Sequence, residues 1–266
     1  MEFRCPSETV ILEEKFFSYP LTSVACNLIL TEKVLFVGIT TKDKTEVEKI
    51  FLDDIVGCHA FRGKNGKTKI ETSEHSAYFC IYAYPLKTFT GILSKQHRRE
   101  KRNLTFLMRK NDSEDENYKV VEKWQRAINC LIRGKACVID GEVSIPDIVP
   151  SSKKFLILIN PKSGPGKAYQ IFKEKVIPLL VESDTQYEVL VTDRANCARD
   201  FMKKADISKW DGIVVVSGDG LLFERPDYML RFDNSTPVEC CGILENGEIR
   251  HKDFPFVTYL YIYSDS

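Results

Sequence analysis

Long apolar runs are missing from this 266-residue chain. None approaches the roughly 20 residues that a membrane-spanning helix needs, so any membrane contact is expected to be peripheral. Net charge is missing as well, because 38 basic residues balance 38 acidic ones. That balance argues against a nucleic-acid partner held by overall charge, and charge alone does not hold the chain on a membrane. Histidine is scarce: there are four, none spaced as a metal pair, so no metal site is expected. The nine cysteines contain no CxxC pair. An odd number without that spacing argues against a disulfide framework. It fits a reducing, cytoplasmic compartment in which thiols serve as small core residues. The opening "MEFRCPSETVILEEKFF" is too charged and too broken for a secretory signal.

What is present falls into two halves. The first 135 residues read as β-rich. "KVLFVGIT" (33–40), "KTKIETS" (67–73), "AYFCIYAYPL" (77–86) and "NLTFLMRK" (103–110) are strand candidates, and "RGKNGK" (62–67) carries Asn-Gly turn chemistry. The period then changes. Val120, Val121, Trp124, Ile128, Leu131 and Ile132 recur at helical spacing within 113–134. Ser113 with Glu116 is placed to form a capping box, and Gly134 to stop the helix. "KQHRREKR" (95–102) holds five basic residues and one acid. It reads as a solvated loop before the strand at 103–110, with a membrane-surface or nuclear-import patch as the alternative. "DGEVSIPDIVPSSKK" (140–154) has two prolines, a serine pair and little periodicity, and reads as a linker.

The second half alternates strand and helix. "KFLILIN" (154–160), "YEVLVT" (187–192) and "DGIVVVSG" (211–218) are strands, separated by helical patterns at 166–180 and 195–205. That β-α-β-α-β order predicts right-handed crossovers and an open α/β sheet, whose ligands bind at the carboxyl ends of the strands. The strands end in "NPKSGPGKA", "TDRANCA" and "SGDGLLFE". The first loop brings glycines, a serine and lysines to a helix start, where backbone N–H groups can face an anion. It is not a Walker A loop, since Ala168 follows Lys167. In the third loop, glycines flank Asp219. A carboxylate there can act as a general base or hold Mg²⁺, and it can equally cap the next helix.

Taken in order, "INPKSGPGKA", "VTDRANCARD" and "VVVSGDGLLFE" resemble the nucleotide-binding half of the diacylglycerol-kinase-like lipid kinases. The pattern is most similar to that of the sphingosine kinases. Ser217 stands where ceramide and diacylglycerol kinases usually carry Gly, and "ERPDY" resembles a segment that the sphingosine kinases carry a little further on. The likeness is specific over 154–224 and weaker over 77–133. It implies ATP and Mg²⁺ as cofactors and sphingosine or a related sphingoid base as partner. It also implies that Asn160, Pro161, Lys162, Ser163 and Gly164, then Thr192, Asp193, Arg194, Ala195 and Asn196, and finally Glu224, face the nucleotide. Ser217, Gly218, Asp219 and Gly220 would face the lipid headgroup, with Asp219 as catalytic base. The strands of the first half, closed by one Trp-bearing helix, resemble a pleckstrin-homology domain in outline.

The resulting expectation is an α/β chain in four parts. These are a pleckstrin-homology-like β-rich domain (1–139), a linker (140–153), a diacylglycerol-kinase-like nucleotide-binding domain (154–232) and a short β-rich tail (233–266). After Glu224 the pattern departs from the family. Arg225 and Pro226 interrupt the helix that should follow, and the family's large lipid-binding β-domain has no counterpart in "STPVECCGILENGEIRHKDFPFVTYLYIYSDS". A truncated product of low activity is therefore expected. Three functions stay open at this point: a sphingosine kinase, a non-catalytic binding or regulatory protein built on the same remnant, and a ceramide kinase.

Overall fold

The computed structural model describes residues 9–21, 23–40, 45–63, 75–90, 95–162 and 166–216, with the short segments 243–245, 248–250 and 262–263. They divide into two compact units, one within Met1–Leu86 and Glu100–Ser151, the other within Lys87–Arg99 and Ser152–Ser266.

The first unit is an antiparallel sheet crossed by one helix. Its strands are β1 (Leu12–Tyr19), β2 (Ala25–Leu30), β3 (Val34–Thr40), β4 (Thr45–Phe51), β5 (Ile55–Arg62) and β6 (Ala77–Ala83). A separate hairpin, β7 (Leu86–Thr90) with β8 (Lys95–Arg99), falls almost wholly in the second unit and precedes in the chain the last strand of this sheet, β9 (Arg102–Met108). The seven-strand order is β4-β3-β2-β1-β9-β6-β5. Four of these strands, β1, β2, β4 and β5, were not apparent as sequence runs. In β1, "LEEKFFSY", only Leu12 and Phe16 are buried, and the charges between them mask the alternation. The basic run at 95–102 is not a loop: its first five residues form β8. The strand candidate at 67–73 and the Asn-Gly turn lie outside the described residues.

Helix α1 (Glu114–Ile132) lies against β5, β6 and β9. Its apolar face carries Val121, Trp124, Ala127 and Ile128 into the core. The Trp124 ring stacks on Phe79 at 6.0 Å and meets Phe16 edge-on at 5.4 Å. Ser113 occupies the N-cap, but its side chain makes no capping bond, so the expected capping box is not formed. Asn117 instead ties the first turn down, accepting from the Asn111 N–H and donating to the His75 and Asn111 carbonyls. At the other end Gly134 adopts φ 73°. Its N–H donates to Leu131 O and that of Lys135 to Cys130 O, which closes the helix as a Schellman motif. Asn129 is buried on the core side of α1. Its side chain accepts from the Cys58 N–H (3.1 Å) and donates to the Cys58 carbonyl (2.9 Å), pairing with β5 as a neighbouring strand would.

The expected linker begins inside structure. Val138–Ile139 (β10) pairs with Glu142–Val143 (β11). Asp140 and Gly141 form the turn between them at φ 52° and 83°, the two left-handed residues that a tight type I′ hairpin demands.

The second unit contains a three-stranded parallel sheet. Its strands are β12 (Lys154–Ile159), β13 (Gln186–Val191) and β14 (Gly212–Val216), in the order β13-β12-β14. Central β12 is an unbroken apolar run, as burial on both faces requires. Ile157, Ile159, Val214 and Val216 pack beneath one helical run, and Leu156, Leu158, Ile213 and Val215 beneath helix α4 (Cys197–Met202) on the opposite face. The first run is α2 (Ala168–Ile171), a π turn (Phe172–Val176) and α3 (Ile177–Glu182). Pro178 explains the π turn. A proline cannot donate to the carbonyl four residues back and collides with it, and a widened turn removes both conflicts. The Ile177 N–H accordingly donates to Phe172 O, five residues back. In the tail, β15 (Ile243–Glu245) pairs with β16 (Glu248–Arg250) and with β17 (Ile262–Tyr263).

Candidate active site at the carboxyl edge of the parallel sheet

The three parallel strands end level. Ile159 of β12 pairs in register with Val191 of β13 and with Val216 of β14. The residues that follow therefore leave the sheet at one edge. Because the β12–β13 and β13–β14 connections cover opposite faces, the crevice opens beside β12, where open α/β sheets take ligands.

Asn160 is the first residue beyond β12. Its N–H donates to Val216 O at 3.1 Å, which holds the loop against the end of β14. Its side-chain Oδ1 accepts from the Lys162 N–H at 3.1 Å. That bond bends the chain at Pro161 and leaves the Lys162 side chain exposed. Gly166 closes the loop at φ 75°, and a Cβ there would meet only Pro161 O, at 3.8 Å. Glycine is required by the backbone angle, not by crowding. Ser163 and Gly164 lie outside the described residues.

Thr192 begins the second loop. It is buried, and both its N–H (2.8 Å) and its Oγ1 (3.3 Å) donate to Ile159 O. The two loops are thus fastened to the same end of β12. Asp193, Arg194, Ala195 and Asn196 follow and are exposed. Asn196 precedes α4 in the left-handed region at φ 60°, and its carbonyl accepts the Asp200 N–H at 2.9 Å. Arg194 Nη2 meets Asp200 Oδ2 at 2.8 Å. Hydrogen bonding to Asp200 raises the already high pKa of the Arg194 guanidinium, so it is a fixed cation. Sequence reading missed Asp200. It lies six residues from Arg194 across a loop-to-helix junction, and no spacing rule signals such a pair.

The third loop starts at Ser217, directly after β14. Ser217, Gly218, Asp219 and Gly220, and further on Glu224, lie outside the described residues. What is described is their point of departure, the buried end of β14 beside Asn160. Two exposed side-chain cations stand at the edge, the Lys162 ammonium and the Arg194 guanidinium. That set suits a polyphosphate. No group of three metal-ligating side chains occurs among the described residues.

Residues 154–247 match the diacylglycerol kinase catalytic domain. The chain is 33% identical to sphingosine kinase 2 of Homo sapiens over 247 residues, which is 89% of this chain and 36% of the relative. It is 49% identical over 96 residues to sphingosine kinase 1 of Caenorhabditis elegans (35% of this chain, 20% of the relative). Identity is 36% over 99 residues to sphingoid long chain base kinase 5 of Saccharomyces cerevisiae (34% and 14%). The chain thus spans little more than a third of the length of the human relative. By sequence, the chain is similar to sphingosine kinases, with a diacylglycerol kinase catalytic match over 154–247.

Proposed function

We propose that the carboxyl edge of the parallel sheet binds ATP and transfers its γ-phosphate to the primary hydroxyl of a sphingoid base. The observation that carries this reading is the level ending of β12, β13 and β14, the strands from which the three motif-bearing segments continue. Asn160, Pro161 and Lys162 would border the phosphates with Ser163 and Gly164, and Thr192 to Asn196 the nucleoside side. Ser217, Gly218 and Gly220 would shape the headgroup loop, and Glu224 would complete the nucleotide pocket. Asp219 would take the hydroxyl proton as the oxygen attacks the γ-phosphorus and ADP leaves. Mg²⁺ arriving with the nucleotide would neutralise phosphate charge. Such transfer depends on positioning and electrostatics more than on covalent help from the protein.

The antiparallel unit contributes none of these groups. Its meander closed by a single helix supports a pleckstrin-homology-like role in contacting a partner or a membrane surface. The six described cysteines are free and five of them are buried, which supports a reducing, cytoplasmic setting. For Cys137, burial pushes the thiol up to about 11, so it serves packing, not reactivity.

The test is direct. The purified chain is incubated with labelled ATP, Mg²⁺ and sphingosine beside an Asp219→Asn control. Sphingosine phosphate above that control supports the proposal, and its absence removes transferase activity from this chain. Competition between sphingosine and ceramide separates the two lipid substrates.

A further inference from the structure

We infer that Asp200 is a positioning residue for the nucleotide, acting through Arg194. The inference rests on the nucleotide-binding reading above and adds a residue to it.

Arg194 stands on an exposed loop at the ligand edge of the sheet, just beyond buried Thr192. A free arginine there would sample many rotamers and lose that freedom on binding the nucleotide. Asp200 removes part of the cost in advance. It sits on α4, whose Ala198 and Met202 are buried against the sheet, so its carboxylate is carried by a packed element, not by the loop. It holds one side of the guanidinium through Nη2 at 2.8 Å. Nη1 lies 3.4 Å from Ala195 O, a weak contact that a nucleotide oxygen can replace. A guanidinium has five donors in a fixed fork, so one edge can stay on Asp200 while another meets the nucleotide.

Charge works in the opposite sense, which makes the inference easy to overturn. Removing a carboxylate makes the edge more positive and, by Coulomb attraction alone, strengthens ATP binding. If positioning prevails, removing it weakens binding by roughly three- to tenfold, the range for releasing one side chain that was ordered before binding.

The experiment is equilibrium binding of ATP·Mg²⁺ to the full chain by titration calorimetry. It uses the wild type, Asp200→Ala, Asp200→Glu, Arg194→Ala and the Asp200→Ala/Arg194→Ala pair, with the melting temperature of each recorded. Support consists of weaker binding in Asp200→Ala, recovery in Asp200→Glu, and no further loss when Asp200→Ala is added to Arg194→Ala. Unchanged or tighter binding by Asp200→Ala overturns the positioning role and leaves the nucleotide reading intact. Failure of the wild type itself to bind ATP·Mg²⁺ overturns both.

Discussion

The two units solve the burial problem differently. The antiparallel sheet takes a single helix across one face, and strands such as β1 mix apolar and charged residues. In the parallel sheet, helices cover both faces of the central strand, which is apolar from Phe155 to Ile159. In the first unit the buried polar groups Asn117 and Asn129 are spent on closing the backbone of the fold itself. In the second, the polar groups of the candidate site lie at one edge, on loops that follow the strands. Stability and chemistry are thus assigned to different places in the chain, and that separation can be tested.

Trp124→Ala should produce the largest change in stability. It empties a fully enclosed aromatic site in the first core, with an expected cost of about 3–5 kcal/mol. Chemical denaturation should show the loss. ATP·Mg²⁺ binding, which depends on the other core, should survive wherever the protein stays folded. Asn129→Leu comes next. It leaves the Cys58 N–H and carbonyl without their side-chain partner, at about 1–3 kcal/mol, again visible in the denaturation midpoint. Gly134→Ala is smaller. A Cβ meets nothing within 4 Å there, so only the left-handed φ of 73° opposes it, at roughly 1 kcal/mol.

The smallest effect belongs to the ion pair at the amino end of the parallel sheet. Hydrogen bonding to Lys154 lowers the pKa of Glu188, and the Trp210 Nε1–H donates to the same carboxylate at 3.1 Å. A depressed carboxylate contributes stability above its unfolded pKa and loses it as pH falls through the folded value. Glu188→Gln should therefore be slightly less stable than wild type at neutral pH. The two should converge in acid, below the ordinary glutamate range, when denaturation midpoints are followed against pH.

The same contrast explains how much could be read from residues alone. β12 and β14, whose residues are largely buried, stand out as apolar runs, and the exposed strand β13 was legible beside them, with the loops after all three. Half-buried strands such as β1 carry Glu13, Glu14 and Lys15 between their core residues and were not. The hairpin at 138–143 could have been found, since Asp140-Gly141 is a turn signal, but the prolines downstream favoured a linker. Pro178 was seen, while the π turn that accommodates it follows from backbone geometry and not from pattern. Ser113 with Glu116 fits a capping box by spacing, yet Asn117 does the tying. The Arg194–Asp200 pair depends on how a loop folds back onto a helix, and only coordinates reveal it.

The central claim is that the loops at the parallel edge perform phosphoryl transfer from ATP, with Asp219 as base. The most direct measurement is the formation of labelled sphingosine phosphate by the full chain with ATP and Mg²⁺, for wild type and Asp219→Asn side by side. The account predicts product with the wild type and none above background with Asp219→Asn. Equal product from both, or none from either, would contradict it.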